Sequence, residues 1–138
     1  MTTVLVGGCF DLLHFGHTQF LSAAKQLGDT LIVALESDEN VRRMKGPLRP
    51  IHTQLQRQSM LLALRAVDKV ICLPPMTTDQ EYRDFILREH PDVIAVTEHD
   101  PILEKKRLHA NAIGANLVVI PKVATPSTSQ LTKLLALE

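Results

Sequence analysis

Two rhythms alternate along this chain. Val4-Leu5-Val6 and the run from Thr30 to Leu35 are short and unbroken in apolar residues, which predicts strands buried on both faces of a parallel sheet. Between them Phe20, Leu21, Ala24 and Leu27 recur at helical spacing, predicting a helix from about Gly16 to Leu27 that Gly28 stops. Strand, helix and strand within about 30 residues make one βαβ unit. The alternation then continues. A helix is predicted from Thr53 to Ala66, carrying Leu55, Met60, Leu61 and Leu64, and a strand from Lys69 to Leu73 that Pro74-Pro75 ends. Asp79 reads as the cap of a helix reaching Glu89 or His90. A strand at Val93–Val96, a helix from Leu103 to Ile113 closed by Gly114, a strand at Leu117–Ile120 and a last helix from Ser127 to Leu135 complete the pattern. It predicts an α/β fold, a doubly wound parallel sheet of about five strands with helices on both faces. No internal repeat, linker or low-complexity tract interrupts the 138 residues, which read as one domain, 1–138.

One stretch between these elements is basic. Asn40 to Pro50 contains Arg42, Arg43, Lys45 and Arg49 and is broken by Gly46, Pro47 and Pro50. It follows the end of the second strand, Glu36-Ser37-Asp38, at the sheet edge where ligands bind in open α/β sheets. The stretch reads as a mobile phosphate-binding loop, with a plain solvated loop as the alternative.

The densest chemistry lies at the first strand's end, in Gly8-Cys9-Phe10-Asp11-Leu12-Leu13-His14-Phe15-Gly16-His17. Strand, tight turn and helix N-terminus together make a site for an anion, because the first backbone N–H groups of a helix lack partners and carry partial positive charge. His14 and His17 stand three apart, so both imidazoles can lie on one side of the turn and donate to phosphate oxygens. A Gly-Gly strand end alone can be only a turn, and a single histidine is more often structural; here the features coincide.

Composition narrows the partners. Fifteen basic and fifteen acidic residues cancel, so no global field favours nucleic acid or an anionic membrane. Four Phe, one Tyr and no Trp leave no platform for stacking single strands. Cys9 and Cys72 are the only cysteines and read as reduced thiols. No apolar run approaches the ~18 residues of a membrane span, and the chain reads as a soluble cytoplasmic protein.

The pattern G-x-F-D-x-x-H-x-G-H over Gly8–His17 resembles the signature of the cytidylyltransferase-like nucleotidyltransferases, Rossmann-like enzymes related to class I aminoacyl-tRNA synthetases. The similarity continues through Leu27–Ala34, Ser37-Asp38, Arg43–Gly46, Arg49-Pro50, Gln56-Arg57, Ala66–Val70 and Lys122–Ser129, nearly the whole chain. The resemblance implies that a phosphate oxygen of a second substrate attacks the α-phosphorus of a nucleoside triphosphate and pyrophosphate leaves in line. It assigns catalysis to His14, His17 and Lys45. It assigns nucleotide contacts to Gly8, Cys9, Phe10, His14, Gly16, His17, Asp100, Ser127 and Thr128. The acceptor phosphate falls to Lys45, Arg57 and Lys122. Asp11 is implied to brace the turn by accepting backbone hydrogen bonds, with no metal site on the protein and Mg2+ carried by the triphosphate. A small residue whose backbone nears the nucleotide is the reading of Cys9, with a reactive thiol as the alternative.

Arg43-Met44-Lys45-Gly46 resembles heptose-phosphate adenylyltransferase domains and makes ATP with a sugar phosphate such as heptose 1-phosphate the leading pair. CTP with glycerol 3-phosphate or a similar polyol phosphate comes next, and FAD synthesis from flavin mononucleotide third. A non-catalytic nucleotide-binding module and a tRNA-binding synthetase fragment are the alternatives of other classes. A homodimer is expected by analogy, with neither nucleic acid nor membrane as partner. Thr125 and Pro126 depart from the glycine and the isoleucine or cysteine of relatives. Lys122 replaces an arginine, and Glu98-His99-Asp100 differs from kin as well.

Overall fold

The structure is a computed structural model that describes residues 1–125, 130 and 133–135. Five strands, β1 (Thr3–Gly8), β2 (Thr30–Leu35), β3 (Lys69–Cys72), β4 (Val93–Thr97) and β5 (Asn116–Ile120), pair in parallel in the order β3-β2-β1-β4-β5. Five helices connect them: α1 (Phe15–Lys25), α2 (Asp38–Lys45), α3 (Gln54–Leu62), α4 (Asp79–Glu89) and α5 (Leu103–Ile113). Successive strand side chains point to opposite faces, and the core divides accordingly. Val4, Val6, Leu31, Val33, Leu35 and Ala95 bury against Leu21 and Ala24 of α1 and Leu61 of α3. Leu5, Ile32 and Ala34 face Phe85 of α4, while Ile94 and Val96 face Ala110 of α5. Both faces are covered, so the doubly wound sheet expected from the sequence is present.

Strand order reverses at β1. The chain moves from β1 to β2 and β3 on one side and returns to β4 and β5 on the other. Ligands of open α/β sheets bind outside the carboxyl ends of the strands at such a switch point. β1 pairs with β2 from Thr3↔Thr30 to Gly8↔Leu35. With β4 its register covers only Val4↔Val93 and Leu5↔Ile94. Beyond Leu5 and Ile94 the pairing of β1 with β4 stops, and the Gly8–His17 segment leaves the sheet at that end.

Three local expectations are corrected. Residues 38–45 form α2 rather than a mobile loop. Ser37 caps it by accepting from Asn40 N, acidic Asp38 and Glu39 lie in its first turn, and Arg42, Arg43 and Lys45 lie in its last. That charge order complements the helix dipole. Secondly, α1 stops at Lys25, and Gly28 serves a close approach: a Cβ there would lie 2.8 Å from Thr2 O and from the Val4 side chain. Thirdly, Thr78 rather than Asp79 caps α4, in a capping box with Glu81. The predicted helix over 127–135 falls largely outside the described residues. Among the described residues no helix is long and apolar enough to cross a membrane.

Candidate active site

The segment after β1 is held in an unusual backbone shape. Phe10 and Leu12 have φ of 47° and 55°, the left-handed region that side chains other than glycine's avoid, at a cost on the order of 1–3 kcal/mol each. Packing enforces it. The Phe10 ring is buried, lies 5.5 Å from the His17 ring, and covers Gly8 so closely that a Cβ there would stand 2.9 Å from a ring carbon.

The two histidines cap their own helix. His14 is the N-cap of α1, and its Nδ1 accepts from Gly16 N at 3.0 Å. His17 Nδ1 accepts from His14 N at 3.2 Å, and the two rings stack with centroids 3.8 Å apart. A backbone N–H only donates, so each Nδ1 keeps its lone pair and each proton sits on Nε2. The pair therefore presents two neutral Nε2–H donors at a helix N-terminus. Burial, the neighbouring His14 and the Lys45 charge push the His17 pKa down from 6.5 to about 4. Burial lowers that of His14 also.

That shift makes stability depend on pH. The unfolded chain binds a proton at His17 near pH 6.5 and the folded chain only near 4, so stability falls as pH drops through that window and levels below it. His17 accounts for roughly 3 kcal/mol of this loss. Nitrogen-resolved NMR titration is expected to find the His17 ring neutral at pH 6, with the proton on Nε2. A ring titrating at 6.5 would overturn the lowered pKa, and a proton found on Nδ1 would overturn the tautomer.

Gly16 completes the cap. A Cβ on it would lie 2.9 Å from both His14 Cε1 and Thr125 Cγ2. Gly16→Ala, which in an ordinary helix gains about 0.5–1 kcal/mol, is expected to destabilise the protein and lower turnover here; a raised melting temperature with full activity would contradict the packing.

Two buried arginines hold this segment to the rest of the site. Asp11 is 2% exposed and accepts from Arg49 Nε at 2.8 Å, Ile51 N at 2.7 Å and His52 N at 3.1 Å. Burial alone would raise its pKa, but these hydrogen bonds outweigh it and hold the carboxyl below the ordinary range. Asp11 thus braces the loop after α2. Arg57, expected at an acceptor phosphate, is buried instead. It is 1% exposed and donates to Cys9 O (2.8 Å), His52 O (3.0 Å) and Asp38 Oδ1 (2.7 Å). Lys45 ends α2 and is exposed; its positive charge acts to lower the pKa of His17 and, against the larger effect of burial, that of Cys9.

Residues 5–128 match the family described as cytidylyltransferase-like. The chain belongs to this family of nucleotidyltransferases. It is 39% identical over 131 residues to the bifunctional protein HldE of Nitrosococcus oceani, covering 93% of this chain and 26% of that protein. The match to HldE of Campylobacter fetus is 51% over 70 residues, 15% of that protein, so the chain spans about a quarter or less of these relatives. FAD synthase of Thermococcus kodakarensis is 38% identical over 136 residues, covering 96% of this chain and 88% of that one. Among solved structures, the lipopolysaccharide core biosynthesis protein of Thermoplasma volcanium superposes with a TM-score of 0.67 at 25% identity over 89% of this chain and 97% of its own. Pantoate-β-alanine ligase of Francisella tularensis, at 15% identity and a TM-score of 0.65 over 96% and 65%, shares the fold.

The remaining site residues of this cytidylyltransferase-like chain are distributed unevenly. Asp100, expected at the nucleotide, accepts from Ile102 N at 2.9 Å and Lys106 Nζ at 2.6 Å in the turn after β4. Lys122 N donates to Glu98 Oε1 at 2.8 Å, tying the ends of β4 and β5, and its side chain is exposed. Glu98, His99, Lys122 and Thr125 line a cleft there. Ser127 and Thr128 lie outside the described residues. Cys9 approaches Met44 Sδ at 4.0 Å, and burial raises its thiol pKa despite Lys45, against a reactive thiolate. Among the described residues no three His, Cys, Asp or Glu gather to hold a metal ion.

Sequence reasoning missed Arg49 as an anchor and the cluster Glu36, Asn40 and Tyr82. Glu36 sits at the end of a buried strand beside a polar helix, a position that could have flagged it. Nothing local points to Tyr82.

Proposed function

We propose that this chain transfers an adenylyl group from ATP to the phosphate of a small metabolite, with a sugar phosphate such as heptose 1-phosphate as acceptor. An acceptor phosphate oxygen forms a bond to the α-phosphorus as the bond to the bridging oxygen breaks, and pyrophosphate leaves. The nucleophile is already ionised, so no general base is needed. Catalysis then consists of orientation and charge stabilisation. The observation that carries this reading is the pair of fixed, neutral Nε2–H imidazoles at the α1 N-terminus, in the crevice at the switch point. They donate to phosphate oxygens without the reorganisation that water requires. Lys45 balances charge where the two substrates' phosphates meet. Asp11, the carboxylate of the motif, is committed to Arg49 and backbone N–H groups, so the donor set fits Mg2+ entering on the triphosphate rather than a protein cage.

The HldE relatives support ATP and a sugar phosphate. A second reading, FAD synthesis with flavin mononucleotide as acceptor, is favoured by the Thermococcus relative, which aligns over 88% of its own length. Pyrophosphate release with Mg2+ and either ATP or CTP, against heptose 1-phosphate, flavin mononucleotide and glycerol 3-phosphate, tests both. Release with ATP and the heptose phosphate alone is the expected result. Release only with flavin mononucleotide selects the second reading, and CTP with glycerol 3-phosphate would replace both. No release with any pair, alongside nucleotide binding, would make the chain a binding module. A homodimer in the cytoplasm remains part of the proposal, by analogy with the family and with the location of its triphosphate.

A further inference from the structure

α2 has little apolar reason to stay where it is. Among its eight residues only Asn40 and Val41 are buried, and Met44 is 51% exposed. A two-turn helix of this length is not stable by itself in water. Its position is set by polar ties.

The central tie is Asn40, 0% exposed. Its Nδ2 lies 2.7 Å from Glu36 Oε2 at the end of β2, 3.0 Å from Met76 O and 3.1 Å from Tyr82 Oη on α4. Turning the amide over would aim its oxygen at a carboxylate and a carbonyl, so the chemistry permits one orientation. Oδ1 has no partner among the described residues, the cost of that choice. Tyr82 donates to the Glu36 carboxylate at 3.0 Å, and Arg43 Nη2 reaches the same Met76 O at 3.1 Å. Glu36 is 7% exposed and held by an amide and a phenol, with no ion pair among the described residues. A buried carboxylate kept beside an anion site calls for a purpose.

Lys45 supplies one. It is the last residue of α2, exposed, with Asn40 buried before it and Arg49 buried on Asp11 after it. Gly46, at φ 112°, ends the helix between them. We propose that Asn40 is a positioning residue for Lys45: by locking α2 to Glu36 and Tyr82 it fixes where the ammonium stands relative to His14 and His17. This rests on the adenylyl-transfer reading for its catalytic consequence, and on geometry alone for its structural one.

The test is a double-mutant cycle. Asn40→Ala and the milder Tyr82→Phe are each made with Lys45 intact and with Lys45→Met. With Lys45 present, Asn40→Ala is expected to lower kcat by about 10- to 100-fold, the penalty of a misplaced group, with the KM for nucleotide little changed. In the Lys45→Met background the same change should have almost no further effect. Equal losses in both backgrounds would overturn the proposal. A second readout needs no turnover. The Lys45 charge opposes protonation of His17, so displacing it raises the His17 NMR titration midpoint. Asn40→Ala should raise that midpoint only while Lys45 is present. A folded Asn40→Ala protein with an unmoved midpoint would sink the positioning role whatever the reaction. Coupling of the midpoints without turnover would sustain it while rejecting adenylyl transfer. Should Asn40→Ala fail to fold, Tyr82→Phe is read by the same two criteria.

Discussion

Asparagine in place of His17 is expected to lower turnover by about two to three orders of magnitude, the range for losing one hydrogen-bond donor to a developing oxyanion. The melting temperature should barely change. His17 has two duties that its ring divides between its nitrogens: Nδ1 accepts from His14 N at 3.2 Å, and Nε2–H remains for a ligand. The oxygen of asparagine can take the place of Nδ1 and keep the helix start, but nothing then occupies the Nε2 position. Glutamine divides the duties the other way. His17→Gln should retain more activity than His17→Asn while losing about 1 kcal/mol with the cap. Single-turnover rates and thermal melts on both variants separate the two duties. Wild-type turnover from His17→Asn would remove this ring from the chemistry.

Asp11→Leu is expected to destabilise the fold by about 3–5 kcal/mol, the range for breaking a buried ion pair from one side. Arg49, 2% exposed, would lose the Asp11 carboxylate, and the N–H groups of Ile51 and His52 would lose their acceptor. Against a total stability of about 5–15 kcal/mol, that approaches unfolding at ordinary temperature. Denaturant titration measures it. Adding Arg49→Met removes the buried charge that Asp11 faced and should recover part of the loss. A single variant as stable as the parent would mean that Asp11 and Arg49 are better hydrated than their burial implies. Asp11 also contributes to acid sensitivity, in the same direction as His17 but at lower pH. Its depressed pKa stabilises the fold fully above the ordinary carboxyl value, and that contribution is lost progressively as pH falls from there through the lowered folded value.

Much of this was legible because the signals were local. Val4–Val6 and Leu31–Leu35 are apolar without a gap, and His14, Gly16 and His17 lie within one helical turn. α2 was hidden by two things. Val41 and Met44 are its only apolar residues, too few to show a period, and Gly46, Pro47 and Pro50 read as breaking the whole stretch when they only end it. The clue was the order of charges, acidic then basic, behind Ser37. Arg57 could be placed near the motif but not aimed. Whether a guanidinium faces a cleft or the interior depends on Cys9 O and Asp38, which lie 48 and 19 residues away in sequence. The same distance problem conceals the pairing of Asp11 with Arg49 and the contact of Asn40 with Tyr82.

The pairing of β1 with β4 is short, confined to Val4↔Val93 and Leu5↔Ile94, whereas β1 and β2 run together to Gly8↔Leu35. Mechanically the sheet resembles a book sewn only at the lower end of its spine. Towards the upper end the two covers are held by side chains, Leu21 of α1 clustering with Ala95 and Ile120. A triphosphate lodged between the covers would act as a clasp. At a hundred times its Kd, a ligand bound only to the closed form raises the cost of opening by about 2.7 kcal/mol.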